Sequence, residues 1–197
     1  MLLAFAGGLA LGACTKNDNN TIVPIGTEDI KDIHEVIPDS LYAEFDSVFG
    51  GIPQGFVPPK IEGSYVMAPK HRVASNMPVS DWPLDQEESN MYLRFTKQHN
   101  GIAQIELKEI SDPVTIYPVF VCGNGNDNSF AVYFEEKIEV LNIKMTRAVI
   151  MKGKVSEAGL VDFQFATITK ESDGGGQLPG SFFIYKDGNG LAERYDW

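Results

Sequence analysis

A chain of 197 residues, 43% hydrophobic and 11% aromatic, can bury one sizeable core with short appendages, which excludes disorder throughout. Its 16 Lys and Arg against 27 Asp and Glu leave a formal net charge of −11, and no basic cluster interrupts that excess. A surface of this sign repels phosphate backbones and argues against nucleic-acid binding.

The first fourteen residues, MLLAFAGGLALGAC, carry no charge and end in small residues. The apolar stretch is too short to span a bilayer as a helix, which takes about 20 residues, so residues 1–13 read as a signal-peptide core. Its end, Leu11-Gly12-Ala13-Cys14, resembles the lipobox of bacterial lipoproteins. That resemblance implies that Cys14 carries a diacylglycerol lipid and becomes the mature N-terminus, the chain's membrane partner. Cys122 is then a lone thiol, and no disulfide is expected. Residues 14–27 are polar, rich in Asn and without apolar periodicity, as a flexible tether is. Thr15 after the lipidated cysteine, by resemblance to the lipoprotein sorting rule, implies the outer membrane. Lys16-Asn17-Asp18 is similar to the acidic export signal that sends lipoproteins of Bacteroides-type bacteria to the cell surface.

From Glu28 onward the apolar spacing is helical: Ile30, Ile33 and Ile37 form one stripe, and Leu41, Phe45, Val48 and Phe49 form a second. The spacing predicts a helix pair over 28–51, with Pro38 and Asp39 suited to the start of the second helix and Gly50-Gly51 to its stop. Carboxylates on the polar faces read as a solvated surface. Pro53, Pro58 and Pro59 make 52–60 an extended linker.

Residues 61–197 read as strands separated by turn chemistry. The predicted strands are Ile61–Ala68, Met91–Lys97, Ile102–Ile110, Thr115–Val121, Phe130–Glu135, Ile143–Val155, Leu160–Thr169, Ser181–Lys186 and Leu191–Tyr195. His99-Asn100-Gly101, the Gly123–Asn128 run, Ser156–Gly159, Gly174-Gly175-Gly176 and Asp187–Gly190 punctuate them. Short connections imply sequential antiparallel neighbours, so the fold class is mainly β. About eight strands in a meander fit an up-and-down barrel, which abolishes exposed edges; a two-sheet β-sandwich is the alternative.

Ile61-Glu62-Gly63-Ser64-Tyr65 resembles the opening of lipocalin-like barrels, whose first strand carries Gly-x-Trp, with Tyr65 here in place of the tryptophan. Together with the lipobox, the helix pair, the run AVIMKGKVSEAGLVDFQFATI and the closing IYKDGNGLAERY, the chain resembles uncharacterised lipocalin-like lipoproteins of Bacteroides-type bacteria. The resemblance implies a barrel and a lipid anchor but no established ligand.

His34, His71 and His99 are spread over a helix, a strand and a turn, with no spacing that gathers them around a metal. No Gly-x-Ser-x-Gly elbow anchors a hydrolase triad. Asp187-Gly188-Asn189-Gly190 resembles the middle of a calcium loop, but Tyr185 stands where the first ligand belongs, so it reads as a hairpin turn. Asn124, Asn126, Asp127 and Asn128 suit a tight turn better than a cation. Cys122, at a strand end beside Gly123, reads as a small core residue. Asp39-Ser40-Leu41 and Asp46-Ser47-Val48 resemble the acceptor of Bacteroides-type protein O-glycosylation, which makes Ser40 and Ser47 candidate modification sites. No cofactor or metal is expected.

Three roles follow: a barrel that encloses a small apolar or amphipathic ligand, a solid barrel whose loops bind a protein or glycan, and, last, an enzyme. In the strand over 143–155, Ile143, Met145, Val149, Met151 and Val155 form an apolar set broken by Arg147, and the other set carries Lys144, Thr146, Ala148, Ile150, Lys152 and Lys154. The apolar set is expected inward, favouring a filled core. The chain is expected to be a non-catalytic monomer, with its helices on a barrel end or an outer face.

Overall fold

The computed structural model describes residues 33–78, 80–109, 114–140, 142–174 and 177–197. The predicted signal peptide, Cys14, the tether and the opening of the helix pair, Ile30 included, lie outside these residues.

Helix α1 covers Ile33–Val36 and α2 covers Asp39–Phe49. Pro38 occupies the N-cap of α2, where a missing N–H costs nothing. Gly50 closes it in the left-handed conformation, its N–H donating to the Asp46 carbonyl. Phe45 and Phe49 are buried as the spacing requires, whereas Val48 is 49% exposed and leaves the predicted stripe. The reason is angular: at 100° per residue, Val48 lies off the line that joins Phe45 to Phe49.

Twelve strand segments follow: β1 (Phe56–Val57), β2 (Gly63–Met67), β3 (Lys70–Ser75), β4 (Glu87–Glu88), β5 (Met91–His99), β6 (Ile102–Glu109), β7 (Thr115–Asn124), β8 (Ser129–Val140), β9 (Ile143–Val155), β10 (Gly159–Ser172), β11 (Phe182–Asp187) and β12 (Leu191–Arg194). Each strand from β5 to β10 pairs antiparallel with its successor. β10 then pairs with β12 near its start and with β11 further along, and β12 returns to β2, which pairs with β5. The result is a closed eight-strand meander, not a sandwich. Closure pairs the backbone groups that an open edge would leave free.

Three segments depart from the sequence reading. β3 continues the line of β2 past Pro69 and pairs with β11. β4 pairs with β3, and β1 lies inside the predicted linker, pairing parallel with the end of β7.

Alternation along the strands builds two apolar layers. Inside the barrel lie Tyr65, Met67, Leu93, Phe95, Ile105, Val121, Phe130, Val132, Val149, Met151, Phe163, Phe165, Phe183 and Tyr185, among others. The expected inward set on β9 is therefore inward at Val149 and Met151. The opposite face of β8 to β11 presents Ala131, Tyr133, Ala148, Ile150, Ala166, Ile168 and Ile184, and on these pack Ile33, Val36, Ile37, Phe45 and Phe49. The helices thus lie on an outer face. Burying these five side chains contributes about 1.5–3 kcal/mol each.

The Gly-x-Tyr segment has a steric reason. A Cβ on Gly63 would stand 2.9 Å from an Arg194 guanidinium nitrogen and 3.1 Å from the Tyr65 hydroxyl. Arg194 lies 5.4 Å over the Tyr65 ring, and the Tyr65 hydroxyl donates to the Ile61 carbonyl at 3.0 Å. Gln98 ties the preceding segment across this end, accepting from Ile61 N–H at 2.8 Å and donating to the Pro59 carbonyl at 2.8 Å.

Candidate functional site

One barrel end is packed, and the other holds a cup. At the end formed by the β5–β6, β7–β8 and β9–β10 turns, Tyr65, Phe95, Phe130 and Phe163 fill the interior. Toward the opposite end the inward positions turn polar, leaving a cavity of about 590 Å³. This volume lies within the usual range for small-molecule sites, roughly 300–1,000 Å³.

Its walls come from strands far apart in sequence. Lys70 on β3 lies 2.6 Å from Glu109 on β6 and 3.4 Å from Glu88 on β4. Arg72 pairs with Glu88 beneath the cup and stacks against Trp82, Phe183 and Tyr185. Across the mouth, Arg147 on β9 makes two hydrogen bonds to Glu136 on its β8 neighbour, the Nε bond at 2.8 Å. The Tyr117 hydroxyl donates to the other Glu136 oxygen at 3.3 Å. Met91, Leu107 and Phe165 supply apolar surface beside these groups.

Lys70, Arg72 and Glu136 are all less than 7% exposed, and charges so far from water are stable only when paired. Each of the inward cations has its carboxylate: Lys70 has Glu88 and Glu109, Arg72 has Glu88, and Arg147 has Glu136. Burial, reinforced by the Glu136 carboxylate, pushes the Tyr117 phenol up to about 12. Burial and the Glu88 carboxylate do the same for Tyr185. Both phenols remain protonated donors at neutral pH, and the cup offers fixed polar groups beside an apolar floor.

The sequence names none of this set as a site; Arg147 stands out there only as the charge that breaks the apolar alternation of β9. Lys70 and Arg72 were missed because β3 reads as polar. Their alternation in Lys70-His71-Arg72 is a strand signal that inward charge disguises.

The sequence-predicted sites lie elsewhere. Ser40 and Ser47 are both exposed on α2. His34, His71 and His99 sit on α1, β3 and the end of β5, and among the described residues no three His, Cys, Asp or Glu are grouped to hold a metal ion. Cys122 is buried beneath the helices, its thiol 3.2 Å from the Pro53 carbonyl. In the Gly123–Asn128 turn, the Asn124 side chain accepts from Asn126 N–H, and Asp127 accepts from the Ser129 N–H and hydroxyl. Asp187 and Asn189 likewise cap backbone N–H groups of their own turn, at 3.0 and 2.8 Å. Both segments are turns held by Asx bonds.

Set against protein-family models, curated proteins and solved structures, the chain finds no match.

Proposed function

We propose that this chain is a lipid-anchored protein of the bacterial outer membrane that binds a small amphipathic molecule in the barrel mouth and catalyses no reaction on it. The cup carries this reading: one end of an otherwise packed barrel holds about 590 Å³ with Met91, Leu107 and Phe165 beside paired charges. An apolar portion is desolvated against the floor while a polar group exchanges hydrogen bonds with Tyr117, Lys70 and the Glu136–Arg147 pair. The closed meander supports the lipocalin-like relationship that the Gly63-x-Tyr65 opening suggests. The lipid anchor rests on Leu11–Cys14. The proposed absence of catalysis draws on the described residues of the cup's lining, among which there is no Ser, Cys or His and the hydroxyls are those of Thr115, Tyr117, Thr167 and Tyr185.

Native mass spectrometry of the chain purified from its own host tests this reading. A co-purifying small molecule, displaced by Phe165→Trp or by Leu107→Trp, is expected. A ligand-free chain that also fails to take up the amphipathic dye anilinonaphthalene sulfonate in the cup would sink it.

A second reading, recognition of a protein or glycan by the outer surface, draws on Tyr92, Tyr195 and Trp197. These line a shallow depression of about 260 Å³, with the rings of Tyr92 and Tyr195 5.0 Å apart. Glycan-array binding lost in Tyr195→Ala, with the cup empty, would favour it.

A further inference from the structure

A second concavity lies outside the barrel, toward its packed end. It is a groove of about 540 Å³ between the end of α2 and the strands β9, β10 and β11. A break in regular pairing opens it. Val161 pairs with Lys154 and Gln164 with Lys152, so Asp162 and Phe163 bulge out of register. Asp162 takes a left-handed φ of 53°, which turns Phe163 into the core. The same level separates β11, which pairs to Gln164, from β12, which pairs to Val161. Bulges of this kind bend a strand and re-aim its side chains.

The groove gathers positive charge in a chain whose net charge is −11. Lys152, Lys154 and Lys186 line it, with Asp162 as the one lining carboxylate. Among the described residues, none of the three lysines has a carboxylate within ion-pair distance, whereas Lys60, Lys70, Arg72, Arg94, Arg147 and Lys170 each have one. Lys152 is the anchor. It is 8% exposed, lies 4.6 Å over the Phe49 ring and donates to the Gly51 carbonyl at 2.8 Å. That contact closes the end of α2 and uses one of three ammonium N–H groups. Lys154 and Lys186 make no such cap, and both are exposed. Burial lowers the proton affinity of Lys152; Lys186 adds to this, while Asp46 and Asp162 oppose it. Asp46 is itself engaged, accepting from Ile52 N–H at 2.8 Å. The three ammonium groups therefore stand together with no carboxylate in direct ion-pair contact, while Asp46 and Asp162 act on Lys152, and Asp127 on Lys154, at longer range.

We infer that this groove binds the anionic group of a small molecule, a phosphate or carboxylate, between Lys152, Lys154 and Lys186. Lysine suits the role because an ammonium is a compact point charge with several donors. Ile52, Pro53 and Gln164 border the remaining volume, so the ligand extends beyond its anion. The site is separate from the cup and stands whether or not the cup is occupied.

The test is an amide NMR titration of the purified chain in phosphate-free buffer. The probes are inorganic phosphate, citrate, and vesicles of phosphatidylglycerol or of phosphatidylcholine. Saturable shifts at Lys152, Gly153, Lys154 and Gln164 are expected. Phosphate or citrate acting alone identifies a free anion, and phosphatidylglycerol acting without phosphatidylcholine identifies a lipid headgroup. Lys152→Met and the exposed Lys186→Gln should each weaken binding about tenfold or more, the loss of one charge-assisted contact. Lys144→Gln, a lysine outside the groove, should not. No saturable shift with any probe overturns the inference, and so does Lys186→Gln binding like the unmodified chain.

Discussion

Phe45→Ala is the sharpest test of how the helices are held. Phe45 is fully buried, stacked on Phe49 at 5.0 Å between ring centroids and set edge-on to Phe182 of β11 at 5.9 Å. Truncation removes the ring from this layer and leaves a cavity, a change that costs about 3–5 kcal/mol in well-packed cores. The layer lies between a single short helix and the sheet, where α2 can settle inward, so the low end, about 3 kcal/mol, is expected. In a chain of this size each kcal/mol moves the thermal midpoint by roughly 2–4 °C, giving a drop of about 6–12 °C. Urea denaturation followed by circular dichroism measures it, with an unchanged slope against urea showing that the same surface unfolds. Val48→Ala is the control: half exposed, it should stay within about 0.5 kcal/mol of the unmodified chain. A Phe45→Ala loss below about 1 kcal/mol, or an equal loss from Val48→Ala, would refute the packing of α2 on the barrel.

Arg147→Met leaves the buried Glu136 carboxylate with only the Tyr117 hydroxyl, and a loss of about 3 kcal/mol in chemical denaturation is expected. The double variant with Glu136→Gln should recover part of it; an unaffected single variant would mean the pair is solvated. Stability should also fall at high pH. Tyr185 and Tyr117 hold their protons to about 12 when folded but ionise near 10 in the unfolded chain. Below about 10 both states are protonated and stability is intact; above it the unfolded chain releases protons first, and the contribution is lost as the pH approaches 12. Tyr185 accounts for at most about 3 kcal/mol and the less buried Tyr117 for less, so Tyr185→Phe should flatten the profile, and an equally steep fall in that variant would refute the assignment. For the anchor, Cys14→Ala expressed with its full signal should leave the membrane fraction or persist as a precursor; unchanged acylated protein in detergent extracts would contradict it.

Local chemistry alone determined a good part of this protein. Pro38 and Gly50 bracket α2 because one lacks an N–H and the other tolerates a left-handed φ. The Ile143–Val155 strand was legible end to end, since period-2 alternation and flanking turn residues are properties of neighbouring positions. Short connections implied a sequential antiparallel meander, with barrel and sandwich both open, and the return of β12 to β2 decided for the barrel. Tertiary structure decided what alternation cannot express. The outward face of β8 to β11 is apolar because α1 and α2 cover it, so Ala131, Tyr133, Ile150 and Ile168 are buried on the side that reads as exposed. β3 was invisible because Lys70 and Arg72 face inward, a placement that is unfavourable in any short window. It becomes stable only when closure brings Glu109, 39 residues from Lys70, and Glu88, 16 residues from Arg72, against them. The cup and the lysine groove share that origin. Each is a set of charges whose partners, or lack of them, are fixed by barrel register and not by sequence neighbours.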